Sequence, residues 1–117
     1  VQKKKPKIHG GFIVIPKNTI KSDRYHSLRP HTRSVYAAIL VKFTRHKKLN
    51  PKNEVTITHN QMETISGISH GSVVRAVREL KQKGFMTTLI PGGLEGDPTT
   101  FQLNDRYLDV GNSDAYW

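Results

Sequence analysis

Thr58-His59-Asn60-Gln61-Met62-Glu63-Thr64-Ile65-Ser66-Gly67-Ile68-Ser69-His70-Gly71-Ser72-Val73-Val74-Arg75-Ala76-Val77-Arg78-Glu79-Leu80-Lys81-Gln82-Lys83-Gly84 is the stretch on which the fold turns. Thr58 and Gln61 stand three apart, the spacing of a capping box. The Thr58 hydroxyl accepts from the Gln61 backbone N–H and the Gln61 side chain reaches back, which starts a helix. Met62 and Ile65 are expected on its inner face. Gly67 can take the left-handed conformation that closes a helix. Ser69 is a good N-cap for a second one, running to about Lys83 with Val73, Ala76, Val77 and Leu80 on one side and stopped by Gly84. The linker Gly67-Ile68-Ser69 has the length of the turn in helix-turn-helix units. Ile68 plugs the angle between the two helices, and the first turn of the second helix stays free.

Towards the C-terminus, Phe85–Ile90 and Thr99–Leu103 read as strands. The Gly- and Pro-rich run Pro91–Pro98 between them marks a loop, so the pair is expected to form a hairpin with a long tip. Towards the N-terminus, Glu54–Thr58 alternates and is rich in β-branched residues, a short strand. Asn50-Pro51-Lys52-Asn53 is a turn. Val35, Tyr36, Ile39, Leu40 and Phe43 recur at helical spacing, which places a helix over Pro30–Arg45 with proline in its first turn. Residues 16–28 look irregular, and Phe12-Ile13-Val14-Ile15 reads as a strand stopped by Pro16. The expected organisation is a basic flexible tail over 1–10, one domain over 11–109 and a tail over 110–117. The fold class is α+β: a three-helix core, a short strand and a C-terminal β-hairpin.

The run from Gln61 to Leu80, closing on Lys83-Gly84-Phe85-Met86, resembles the winged helix-turn-helix superfamily. The shared pattern is glycine–aliphatic–Ser, then Ser/Thr-Val-x-Arg, then Glu-Leu, then Lys-Gly-Phe. Gly11–Pro16, Ser22-Asp23-Arg24-Tyr25, Leu28, Thr32–Tyr36 and Phe101–Asp105 are similar to winged-helix proteins of phages, plasmids and integrative elements, so the likeness spans residues 11–109. It implies a sequence-specific double-stranded DNA-binding protein of a mobile element, acting in replication initiation or transcription regulation. One position departs from the pattern. Where such units often carry alanine, four residues before the turn glycine, this chain has Glu63. A carboxylate is costly to bury unless paired, so either the helices are rotated or Glu63 lies at the edge.

Charge points the same way. The 117 residues carry a formal net charge of +10 and fit one domain. Residues 1–52 hold fourteen Lys/Arg against Asp23 alone, whereas residues 53–117 hold five against eight acids. A field so lopsided favours a polyanion on one face. There is no cysteine, which excludes disulfides and thiolate metal sites and permits a reducing compartment. No apolar run reaches the ~18 residues of a membrane span, and no signal peptide is visible. The expected location is the cytoplasm, in association with the nucleoid. The chain begins at Val1, which leaves open that it is a piece of a longer protein.

Carried over by the resemblance, the outward face of the second helix is His70, Gly71, Ser72, Val74, Arg75 and Arg78. Arg75 or Arg78 suits bidentate pairing with guanine O6/N7, and Val74 suits a thymine methyl. Ser72 suits a phosphate or a base edge, and Gly71 allows close backbone approach. Phosphate contacts are assigned to Lys3, Lys4, Lys5, Lys7, Arg33, Arg45, Lys47 and Lys48, and to Thr58 and Ser69 at the two helix starts, where unpaired N–H groups favour an anion. The hairpin tip holds Glu95 and Asp97 and no base, so minor-groove insertion is not expected of it.

No catalytic residue, cofactor, metal or small-molecule substrate is expected. His26 and His31 are five apart across a proline rather than i, i+4. Acids are too scattered for a two-metal centre. Tyr25, Tyr36, Tyr107 and Tyr116 lack an accompanying histidine pair. A homodimer on a palindrome is left open. So are two other readings, a protein–protein adaptor and the DNA-binding module of a larger enzyme. RNA is disfavoured, because few exposed aromatics are arranged to stack bases.

Overall fold

A computed structural model describes residues 13–46, 48–92 and 96–108. Both expected tails, Lys47 and the hairpin tip with Glu95 lie outside the described residues. Five α-helices and a three-stranded antiparallel sheet make up the described fold, an α+β arrangement.

The helices are α1 (Lys17–Lys21), α2 (Asp23–His26), α3 (Pro30–Lys42), α4 (His59–Ser66) and α5 (His70–Gln82), and the strands are β1 (Glu54–Ile57), β2 (Met86–Ile90) and β3 (Thr99–Leu103). A 3-10 turn over Asp105–Tyr107 follows β3. Strand order is β1-β3-β2. The last strand in sequence is therefore central, and its register sets Val55 opposite Phe101 and Met86 opposite Leu103. The alternation of β1 turns Val55 and Ile57 inward.

The core lies between the sheet and α3, α4 and α5. α3 packs on α5, and Val35, Tyr36 and Ile39 of the one share a core with Val73, Ala76 and Leu80 of the other, with almost no exposed surface. Phe85, just before β2, is enclosed by the rings of Tyr36, Tyr25 and Tyr107 at centroid distances of 5.3, 6.4 and 4.2 Å.

Four sequence expectations need correction. Residues 13–15, the described part of the expected Phe12–Ile15 strand, form no strand and pair with neither edge of the sheet; Ile15 instead packs, partly buried, against the core. A short apolar run does not by itself distinguish a strand from a docked loop. The region read as irregular, 16–28, contains α1 and α2. Pro16 stands at the start of α1, and the Ser22 hydroxyl accepts from the Tyr25 N–H to cap α2. Helices of five and four residues are too short to show a period. The expected helix to Arg45 stops at Lys42, because Phe43 turns extended and packs against the core. Ile65, expected inside, is 39% exposed while Met62 is fully buried. A residue three places on stands about 60° round the helix, and α4 has room for only one buried line.

The hairpin has its own constraint. The Gly92 N–H donates to the Thr99 hydroxyl at 3.1 Å. A Cβ on Gly92 would lie 2.5 Å from the Asp97 carbonyl oxygen and 2.6 Å from Thr99 Oγ1. Gly92→Ala is therefore expected to destabilise the domain by about 1–3 kcal/mol through backbone displacement, measured by urea unfolding. Faster amide exchange across Met86–Ile90 would place the damage in the hairpin.

Candidate nucleic-acid interface

The turn between α4 and α5 is built as its residues dictate. Thr58 and Gln61 form the full capping box, with both bonds at 3.0 Å. Gly67 takes φ +72 and closes α4 through its N–H to the Glu63 carbonyl. Ile68 is half-buried against the core. Ser69 has the extended backbone of an N-cap, but its hydroxyl makes no capping bond; it lies 3.3 Å from the Ser72 hydroxyl. The start of α5 thus keeps its N–H groups uncovered by that side chain.

One face of α5 is sealed into the core and the other is open. Val73, Ala76, Val77 and Leu80 are buried, whereas His70, Gly71, Arg75 and Arg78 are exposed and Ser72 and Val74 are half-exposed. Arg75 Nη2 donates to Ser72 Oγ at 3.1 Å, which sets the guanidinium over the first turn. All six residues assigned to base readout are therefore together on this helix.

The phosphate set is less coherent. Lys3, Lys4, Lys5, Lys7 and Lys47 lie outside the described residues. Arg33 stands 6.0 Å above the Tyr25 ring with its Nε buried and unpaired, so it is turned into the body of the fold. Arg45 is half-buried and Lys48 exposed. The Thr58 hydroxyl is engaged in its cap.

Two depressions flank α5 and bring in residues that sequence reasoning missed. One, of about 380 Å³, is lined by Arg29, Arg75, Arg78, Glu79, Gln82 and Lys83. The other, of about 320 Å³, runs between α5 and the hairpin, where His59, Val74, Arg78 and Lys81 face Thr88. Lys81 was findable at i+3 from Arg78. Arg29 was not, because it comes from the loop before α3.

Glu79 holds this region together. Its carboxylate accepts from the Arg29 N–H at 3.3 Å, from the Thr32 hydroxyl and from Lys83 Nζ at 2.8 Å, and Lys83 also donates to the Ser27 carbonyl. Burial alone would raise its pKa, but the hydrogen bonds from Lys83, Thr32 and Arg29 outweigh that and lower it below the ordinary 4.5. A depressed carboxylate pKa contributes stability present above pH 4.5 and lost as pH falls through the lower folded value. Glu79→Gln is expected to lower unfolding free energy by about 1–3 kcal/mol at pH 7. The deficit should shrink towards pH 3, read from urea melts at both pH values.

Glu63 sits at the edge of the α4–α5 contact, 28% exposed, with Oε2 2.9 Å from His70 Nδ1. Of the two alternatives that the sequence left open, the structure therefore places Glu63 at the edge and paired. Tyr36 is fully buried, and burial pushes its hydroxyl pKa well up. Among the described residues no three His, Asp or Glu side chains are grouped to hold a metal, and no helix is long and apolar enough to cross a membrane.

No family model and no curated protein matches this chain. A solved structure described as "N-Terminal domain of DNA binding protein" is similar in fold, with a TM-score of 0.60 and 13% identity, over 98% of this chain and 94% of the other. At that identity the likeness speaks for the fold alone.

Proposed function

We propose that this chain is a winged helix-turn-helix domain that reads double-stranded DNA by sequence, with α5 in the major groove and the β2–β3 hairpin as its wing. The observation that carries this reading is the division of α5: four residues sealed into the core and an outward face of His70, Arg75 and Arg78. An α-helix fits the major groove, and residues near its start reach base edges. The fold likeness to a domain of a DNA-binding protein supports it. Arg75 and Arg78 pair with guanine; Ser69 and the start of α5 take a phosphate. Residues 11–109 act as the binding domain, without catalysis and without a cofactor. The biological setting is replication initiation or transcription regulation in a plasmid, phage or other mobile element, at the nucleoid, alone or as a homodimer on a palindrome.

Selection from a random duplex library tests this, with salt-titrated affinity on the winner and on a scramble. A defined motif bound at least ~10³-fold more tightly than the scramble supports the reading. Equal, strongly salt-dependent binding to both would mean charge-driven binding, and no binding at moderate salt would favour a protein adaptor.

Deleting residues 1–7 should weaken all duplexes alike, since phosphate contacts carry no sequence information. The slope of log affinity against log salt should fall by up to about 3–4 if all four lysines engage phosphates. A changed motif would show that the tail reads bases.

A further inference from the structure

Glu63 and His70 form a pair across the turn between α4 and α5. His70 opens α5 with its side chain 66% exposed, and its Nδ1 is 2.9 Å from Glu63 Oε2 on α4. The His59 ring flanks it at 5.7 Å between centroids. Gly71 next to it has no side chain to cover the ring, and Val74 stands one turn further along the helix.

A carboxylate accepts hydrogen bonds and donates none. The proton of a neutral His70 is therefore held on Nδ1, facing Glu63, and Nε2 is left with a lone pair. A ring fixed this way is a hydrogen-bond acceptor of set direction. In the major groove the base-edge donors are the exocyclic amines, adenine N6 and cytosine N4. Guanine and thymine offer only acceptors there, which a lone pair repels.

Resting on the proposed duplex reading, we infer that His70 is a base-reading residue whose Nε2 accepts from an adenine N6 or cytosine N4 amine at a fixed place in the groove, and that Glu63 is its positioning residue, fixing the tautomer through Nδ1. Arg75 and Arg78 are donors only, so the helix carries a mixed code: an amine-bearing base under its first turn and guanine under the next two.

The test is duplex selection at pH 8, above the usual imidazole range, with the full chain as wild type, His70→Ala, Glu63→Gln, Glu63→Ala and Glu63→Leu. Thermal melting of each protein checks the fold. Wild type should specify one base pair flanking the guanine contacts, and methylating that pair's adenine N6 or cytosine N4, which removes the major-groove hydrogen and keeps the pair, should cost as much as His70→Ala. His70→Ala should flatten that position alone, by about threefold to tenfold in relative affinity. Glu63→Gln keeps an acceptor for Nδ1–H and should retain the preference. Glu63→Ala and Glu63→Leu should lose it while the guanine positions persist; Leu keeps the bulk if Ala unfolds. A motif left unchanged by His70→Ala, a selected pair indifferent to methylation of its amine, or folded Glu63→Ala and Glu63→Leu proteins that keep the preference would each overturn the inference while leaving the duplex reading intact. A wild type that selects no motif would overturn both.

Discussion

Phe85→Ala is expected to lower the unfolding free energy by about 3–5 kcal/mol. Phe85 is fully buried, stacks on Tyr107, and meets the edges of Tyr36 and Tyr25. Its backbone N–H closes on the Leu80 carbonyl and its carbonyl accepts from the Asn104 N–H. The backbone thus ties the end of α5 to the segment after β3, while the ring joins α2, α3 and the 3-10 turn. A cavity there removes contacts with three elements at once. Domains of this size hold only about 5–15 kcal/mol in total, so the variant should be close to unfolding at 37 °C. Urea unfolding measures the loss, and a melting temperature about 15 °C or more lower should accompany it. A loss below about 1 kcal/mol would mean that the aromatic cluster collapses to fill the space.

Arg75→Ala with Arg78→Ala is expected to abolish sequence preference while leaving the fold intact. Both side chains are exposed and neither is part of the core. Each bidentate arginine–guanine pair is worth about 1–3 kcal/mol of discrimination, so the double variant should lose on the order of 10²–10⁴-fold on the selected duplex. Binding to a scrambled duplex should fall far less. The singles should each relax a different position of the motif. A double variant that keeps both motif and affinity would place the reading surface elsewhere, with melting curves showing that both proteins are folded.

The elements from α3 to β3 were legible because their signals are local. The capping box at Thr58 and Gln61, the glycine at 67 and the spacing of Val73, Ala76, Val77 and Leu80 each act within a few residues. The first helices were not. Lys17–Lys21 and Asp23–His26 are single turns, held by the Ser22 hydroxyl and by Thr19, whose hydroxyl donates to the carbonyl of Tyr107. Such support arises only when the chain is folded. The candidate site divides in the same way. The open face of α5 follows from its period, and so does the placement of Arg75 and Arg78. The Glu63–His70 pair depends on the angle between two helices. The place of Arg29 in the depression beside Arg78 depends on its N–H bond to Glu79, fifty positions away.

The Glu79 bracket bears on how much of the chain forms a transferable unit. Residues 58–108 contain both helices of the turn and the whole hairpin, and on sequence alone they look like a self-sufficient module. Yet three of the groups gathered around that carboxylate and its lysine partner belong to Ser27, Arg29 and Thr32. The central strand also pairs with β1, outside the same segment. A graft of residues 58–108 into another protein would carry every arginine assigned to the bases and leave behind the clamp that sets their helix at its angle. The smallest piece worth transplanting therefore begins no later than Ser27.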